Sequence, residues 1–153
     1  MNNWQVRAYR PSDLEACYGL FKATVQRVAS KDYSPAQIQA WLGDDDQVTR
    51  QAWQTTLTAH VSLVAEKDGQ LVGFGDMTLD GYLDRLYVHA DFQKRGIGAT
   101  LVNELERLVP TERYTTFASI TARRFFEHQG YQVSYQNQVH RAGQTLINFK
   151  MVK

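Results

Sequence analysis

Apolar positions recur at helical spacing early in the chain and then switch to alternation, and that switch organises the sequence. Val6 and Ala8 alternate with polar neighbours from Gln5 to Tyr9, which predicts a short strand. Leu14, Cys17, Tyr18, Phe21, Val25 and Val28 then follow at steps of three and four, the stripe of an amphipathic helix. In front of it, Ser12-Asp13-Leu14-Glu15 reads as a capping box, the Ser12 hydroxyl accepting from the Glu15 amide. Ser34-Pro35 sets a cap before a first-turn proline, so a second helix runs through Ile38 and Trp41 to about Gly43. A third, short helix is predicted from Val48 to about Leu57.

From Val61 the period is two. Val61 to Lys67, Gln70 to Leu79 and Tyr82 to Val88 read as an antiparallel meander, turned at Asp68-Gly69 and Asp80-Gly81. A helix from Gly96 to about Leu108 carries Ile97, Leu101, Val102, Leu105 and Leu108 as its apolar face. Tyr114 to Ala118 is a strand, and Thr121 to Gln129 is a helix closed by Gly130 in the left-handed region. Tyr131 to Val139 and Thr145 to Val152 are two last strands, joined around Ala142-Gly143. The strand-helix-strand passage from Tyr82–Val88 to Tyr114–Ala118 requires a parallel pair within an otherwise antiparallel sheet. The fold class is therefore α/β: a mixed, mostly antiparallel sheet of about six or seven strands flanked by helices. No repeat, linker or composition break divides residues 1–153, so one domain is expected.

Composition narrows the function. Lys and Arg number 17 against 16 Asp and Glu, a net charge of +1, which offers no electrostatic case for nucleic acid or an anionic membrane. The lone Cys17 excludes a disulfide framework and a multi-cysteine metal site. His60, His89, His128 and His140 show no ligand spacing, so no metal is expected. No apolar run approaches the ~18 residues of a membrane span. Met1-Asn2-Asn3-Trp4 has no leader pattern, so a cytoplasmic location is expected, with a homodimer left open.

The informative stretch is Leu86-Tyr87-Val88-His89-Ala90-Asp91-Phe92-Gln93-Lys94-Arg95-Gly96-Ile97-Gly98-Ala99. A strand ends, a polar loop follows, and a helix opens with two glycines two apart. The first helical turn has free N–H groups and a partial positive charge, and missing side chains at Gly96 and Gly98 would let an anion approach them. Lys94 and Arg95 add positive charge. Physically this is a phosphate-binding turn, the alternative being a plain helix start with a flexible entry. It lacks the Gly-Lys-Ser/Thr of a nucleotide P-loop and the third glycine of a dinucleotide turn. Gly73-Phe74-Gly75 sits inside a strand and reads as packing.

Gln93-Lys94-Arg95-Gly96-Ile97-Gly98 resembles the pyrophosphate-binding motif of the GCN5-related N-acetyltransferase (GNAT) superfamily, Arg/Gln-x-x-Gly-x-Gly/Ala, in its usual place after a Leu-x-Val strand. Downstream, Ala118 to Tyr131 resembles the family's strand-to-helix segment ending in aromatic-Glu-x-x-Gly-aromatic. Tyr33-Ser34-Pro35, Ala118-Ser119, Phe125-Phe126-Glu127 and Asn148-Phe149-Lys150-Met151 are similar to the YafP-like bacterial branch. The resemblance implies acetyl-coenzyme A as cosubstrate. It implies that the Leu86, Tyr87 and Val88 backbone binds the pantetheine arm. The amides of Gln93, Lys94, Arg95, Gly96, Ile97, Gly98 and Ala99, with Thr100, would hold the pyrophosphate. Ser119 stands where the family often has an Asn that contacts the cofactor. Phe126 replaces a common Tyr that serves the leaving thiolate, and a phenyl ring has no proton to give. Tyr131, Tyr87 or solvent would then supply the acid.

Acetyl transfer to an amine needs the amine neutral, hence a route for its proton. Asp84 is the carboxylate placed for this, in a strand expected to be central and buried. Arg85 is expected to face Asp76 across the hairpin, leaving Asp84 on the opposite face. Asp84 is then a base, an amine anchor or a satisfied buried carboxylate. The first helices wall the acceptor site in this family. Tyr33, Trp41 and Trp53, with Asp44-Asp45-Asp46, would draw a cationic or aromatic amine. The leading function is N-acetyl transfer to a primary amine of a small molecule or peptide. The alternatives are a non-catalytic acyl-CoA sensor, favoured by Phe126, and a nucleotide-binding domain using the same turn.

Overall fold

The computed structural model describes residues 3–153. Its strands are β1 (Gln5–Ala8), β2 (Val61–Lys67), β3 (Gln70–Met77), β4 (Tyr82–Val88), β5 (Thr115–Ser119), β6 (Gln132–Arg141) and β7 (Gln144–Val152). The helices are α1 (Leu14–Val28), α2 (Pro35–Leu42), α3 (Gln47–Ala59), α4 (Ile97–Leu108) and α5 (Arg123–His128). The described residues form a 7-stranded sheet in the order β1-β2-β3-β4-β5-β7-β6. Every neighbouring pair is antiparallel except β4 and β5, the pair that the crossover through α4 makes parallel. Helix α4 covers one face, where Ile97, Leu101, Val102 and Leu105 meet Val72, Met77, Leu83 and Met151. Helices α1 and α2 cover the other, packing Cys17, Tyr18, Phe21 and Ile38 on Val64 and Phe74. Gly73 and Gly75 let α4 approach: a Cβ on Gly73 would lie 3.0 Å from Ile97 and one on Gly75 3.4 Å from Leu105. Among the described residues no helix is long and apolar enough to cross a membrane.

Two details of the start of α1 differ from expectation. A 3-10 turn, Pro11–Asp13, precedes the helix, and Asp13 takes the N-cap position of α1 while its side chain reaches back to the start of that turn. It accepts the Arg10 N–H at 2.8 Å and both terminal Arg7 guanidinium nitrogens at 2.9 Å. Glu15 instead pairs with Arg50 at 2.9 Å. The hydrogen bond from Arg7 is the largest influence holding the Asp13 carboxyl below its ordinary range. A depressed carboxyl adds stability that is complete above the ordinary aspartate value of about 4 and is lost as pH falls through the folded value. Asp13→Asn should therefore lower Tm at neutral pH, and the gap to wild type should close on acidification. A gap that persists unchanged in strong acid would overturn this.

The hairpin joining β3 and β4 positions the site. Asp68-Gly69 forms the expected two-residue turn, with φ of 51° and 81°. The second turn is one residue longer, because the Thr78 N–H bonds to Tyr82 O at 2.8 Å and leaves Leu79-Asp80-Gly81 as the loop. A Cβ on Gly81 would lie 2.7 Å from Arg113 O, which requires glycine there. The extra loop residue pairs Met77 with Leu83, yet Asp76 still pairs with Arg85. A bulge at Asp84 absorbs the difference.

Candidate active site

The sheet opens between β4 and β5. The two strands pair only at Tyr82–Thr115 and Leu83–Thr116. Beyond these, β5 stays with β7 through Ser119–Asn148, and β4 stays with β3 through Val88–Gly73. The β4 edge from Asp84 to Val88 is thus left without a strand on its β5 side. Free backbone groups on such an edge can take an extended arm as if it were another strand. Leu86, Tyr87 and Val88 line this opening from the β4 side.

At the head of the opening lies the polar turn. Gln93 Nε2 donates to Val88 O at 3.2 Å, and the Asp91 N–H donates to His89 Nδ1 at 3.0 Å. Lys94 adopts φ 62° and Gly96 φ 88°. A left-handed non-glycine such as Lys94 is strained, and such strain gathers at ligand clamps. The first helical bond of α4 is from the Thr100 N–H to Gly96 O, 3.0 Å, so the N–H groups of Ile97, Gly98 and Ala99 have no intrahelical acceptor. Arg95 and Lys94 are exposed beside them, Arg95 lying over the Phe92 ring at 5.0 Å.

The two glycines serve different purposes. A Cβ on Gly96 would meet nothing within 4 Å, so its left-handed φ is what demands glycine. On Gly98 a Cβ would lie 3.0 Å from the Phe125 ring and 3.7 Å from Val88. The space a side chain at Gly98 would need is thus taken by Phe125, a packing reason for glycine that the sequence reading did not include.

Phe125 is the aromatic at this end of the groove. Phe126, expected against the cofactor, is 4% exposed and packs 5.2 Å from Phe125 and 5.4 Å from Tyr131 in the core. Helical spacing alone cannot tell which of two adjacent phenylalanines faces outward in a helix this short. Ser119 ends β5, its hydroxyl accepting the Ala122 N–H at 3.0 Å.

Asp84 lies where the bulge and the opening coincide. A bulge breaks alternation, so Asp84 turns toward Arg85 instead of away from it. Its Oδ2 is 3.7 Å from Arg85 Nη1 and 4.0 Å from His60 Nδ1. Two expectations are corrected: Asp84 is exposed rather than buried, and it shares a face with Arg85. The expected Asp76–Arg85 pair forms, with Arg85 Nη1 donating to Asp76 Oδ2 at 2.8 Å. Arg85 also donates to Thr56 Oγ1 at 2.7 Å and stacks 4.5 Å from the Trp53 ring. Asp76 is fully buried, and His60 Nδ1 is 2.7 Å from the same Oδ2. Burial is the largest influence on Asp76 and pushes its carboxyl up, with Arg85 opposing. Possible ligand atoms of His60, Asp76 and Asp84 lie within 4.8 Å of one another. The guanidinium of Arg85 already supplies the positive charge between the two carboxylates.

The expected acceptor wall divides. Trp53 lies in the cluster just described. Tyr33 is structural: its hydroxyl donates to Ile147 O at 2.6 Å and accepts the Ile120 N–H at 2.9 Å, tying the α1–α2 connection to β7 and the β5–α5 turn. Trp41 packs 5.3 Å from Tyr33. Two of the three aspartates are engaged: Asp45 pairs with Lys22 and Arg50, and Asp46 caps α3 through the Thr49 N–H at 2.8 Å. Tyr131 is withdrawn as an acid, since it is 1% exposed and donates to Glu106 at 2.8 Å. The Tyr87 ring packs 5.2 Å from Phe21 and 5.7 Å from Phe74, and burial pushes its hydroxyl up to about 12. Cys17 is a core residue, its buried thiol pushed up to about 12. Sequence reading missed His60, Thr56 and Phe125. Nothing in the spacing of His60 and Thr56 links them to Asp76, because the contact is across elements.

The chain as a whole is similar to known acetyltransferases. An acetyltransferase (GNAT) domain matches residues 29–153. The chain is 36% identical to an uncharacterized N-acetyltransferase, YafP, of Escherichia coli K12 over 152 residues, 99% of this chain and 96% of that one. A GCN5-related N-acetyltransferase structure from Rhodopseudomonas palustris superposes with a TM-score of 0.90 at 32% identity, covering 100% of this chain and 96% of that one. PaiA N-acetyltransferase of Thermoplasma acidophilum, solved with coenzyme A, shares the fold at TM-score 0.79 and 18% identity, covering 100% of this chain and 99% of that one.

Proposed function

The chain belongs to the GNAT acetyltransferase family, and from that premise we propose that it moves the acetyl group of acetyl-CoA to a primary amine of a small molecule or peptide. The acetyl donor agrees with neighbours solved with coenzyme A or acetyl-CoA. The observation that carries the site assignment is the coincidence of three features: the parting of β4 from β5, the free amides of α4, and a carboxylate at the point of parting. In this reading the Leu86, Tyr87 and Val88 backbone receives the pantetheine arm. The Gln93–Thr100 turn receives the pyrophosphate, Ser119 borders the arm, and Phe125 replaces Phe126 as the aromatic contact. The amine approaches from the side of Asp84, Arg85 and Trp53. Loss of the usual tyrosine at Phe126 is compatible with turnover, because solvent can protonate the thiolate.

Turnover is tested by thiol release from acetyl-CoA across a panel of primary amines. In parallel, CoA at about 100 times its Kd should stabilise the fold by about 2.7 kcal/mol, read as a rise in Tm. A folded protein with neither response would refute the proposal. Gly98→Val probes the turn. Its methyl groups would displace Phe125, so Tm should fall by several degrees and acetyl-CoA should bind at least about tenfold more weakly. Unchanged affinity by calorimetry would remove Gly98 and Phe125 from the cofactor site.

A further inference from the structure

His60 joins two features that the cofactor reading leaves unused. Its Nδ1 faces the fully buried Asp76 carboxylate at 2.7 Å and lies 4.0 Å from Asp84. The residue also lines an open cavity of about 320 Å³ with Tyr9, Leu57, Ser62 and Leu108. It therefore stands between the carboxylate at the acceptor side and a separate opening to solvent. The groups facing it are Asp76 on β3, Asp84 and Arg85 on β4, and Tyr9 beside β1. Arg85 Nη1 sits on the same Asp76 oxygen at 2.8 Å, which favours the ionised carboxylate and makes the imidazole the donor. With Nδ1–H committed to Asp76, Nε2 keeps the free lone pair. An imidazole is a stronger base than a carboxylate by about two pH units, and so better matched to neutral pH.

We propose that His60 takes the proton of the acceptor ammonium, that Asp76 is its positioning residue, and that Asp84 anchors the ammonium. The assignment rests on the acetyltransferase reading above. The ammonium loses one proton to His60 Nε2, which passes it to water. The neutral amine nitrogen attacks the thioester carbonyl and forms the C–N bond. Collapse breaks the C–S bond, and the second amine proton ends on the coenzyme A thiol. Product and free thiol then balance the one proton released.

Nitrogen-15 NMR of the imidazoles in the full chain reads the tautomer without any acceptor. Wild type should show His60 with Nδ1 protonated. In Asp76→Asn the amide can donate to Nδ1, so the Nε2–H form should grow. With the best amine of the panel, His60→Gln should lower kcat by about 10²-fold and remove the acid limb of the pH profile, with acetyl-CoA affinity unchanged. Asp76→Asn should lower kcat too, and the double variant should lose little more than His60→Gln alone. Imidazole added to His60→Ala should restore part of the rate. An Nε2–H tautomer in wild type overturns the proposal, as does a folded His60→Gln with wild-type kcat and acid limb. Either result with the CoA thermal shift intact fails this proposal alone; absence of that shift fails the acetyltransferase reading.

Discussion

Asp84→Asn should lower kcat/KM for the amine by about 10²-fold and leave acetyl-CoA affinity unchanged. Asparagine preserves size and most hydrogen bonding but removes the charge. Asp84 touches neither the polar turn nor the free amides of α4, so cofactor binding has no reason to change. Its carboxylate lies 3.7 Å from Arg85 and 4.0 Å from His60, one residue beyond the last paired position between β4 and β5. The way the loss divides assigns the role. A rise in acceptor KM with kcat spared marks an ammonium anchor, whereas an equal fall in kcat and kcat/KM marks a base. Steady-state kinetics on the purified variant separate these. A folded variant with wild-type constants would make Asp84 structural.

The largest stability effect should come from Asp76→Ala, a loss of about 3 kcal/mol. Asp76 is fully buried, and its removal takes from the Arg85 guanidinium, 14% exposed, the carboxylate it hydrogen-bonds, leaving it only Asp84 at 3.7 Å. His60 loses its acceptor at the same time. Most of the cost is the half-buried cation deprived of its hydrogen-bonded carboxylate rather than the lost attraction, so the pair can be separated from its parts. Asp76→Ala combined with Arg85→Leu should recover a substantial share, because leucine needs no partner beside Trp53. Denaturant unfolding of the two single variants and the double variant closes the cycle. If the double variant is as unstable as the sum of the singles, Asp76 and Arg85 are not energetically coupled.

Much of the candidate site was legible because it is local in sequence. The strand, polar loop and helix start from Leu86 to Ala99 bring the pantetheine edge and the phosphate amides together within one supersecondary unit. The Asp76–Arg85 pair was also legible, but its route was not. A two-residue turn at Asp80-Gly81 would have made that pair directly. The chain instead uses a longer loop and regains the register with a bulge, and the bulge sets which way Asp84 points. The facing of Phe125 and Phe126 was illegible for a related reason. Helix α5 is only 6 residues long, too short for periodicity to identify its buried side.

Periodicity and turn chemistry in the chain determined the elements, because these depend on neighbours a few residues apart. Period-two runs, Asp68-Gly69, Ser34-Pro35 and Gly130 each act through local dihedrals and hydrogen bonds. The segment from Gln93 to Gly98 likewise carried the resemblance to the family's motif. Only the tertiary structure decided what surrounds the reacting groups. His60 follows α3, Asp76 lies on β3 and Asp84 on β4, and their meeting depends on strand register and on how α3 packs over the sheet. Those are long-range choices. A one-residue slip turns a side chain to the other face of a strand, so charge and burial at Asp84 follow from the bulge and not from the identity of its neighbours.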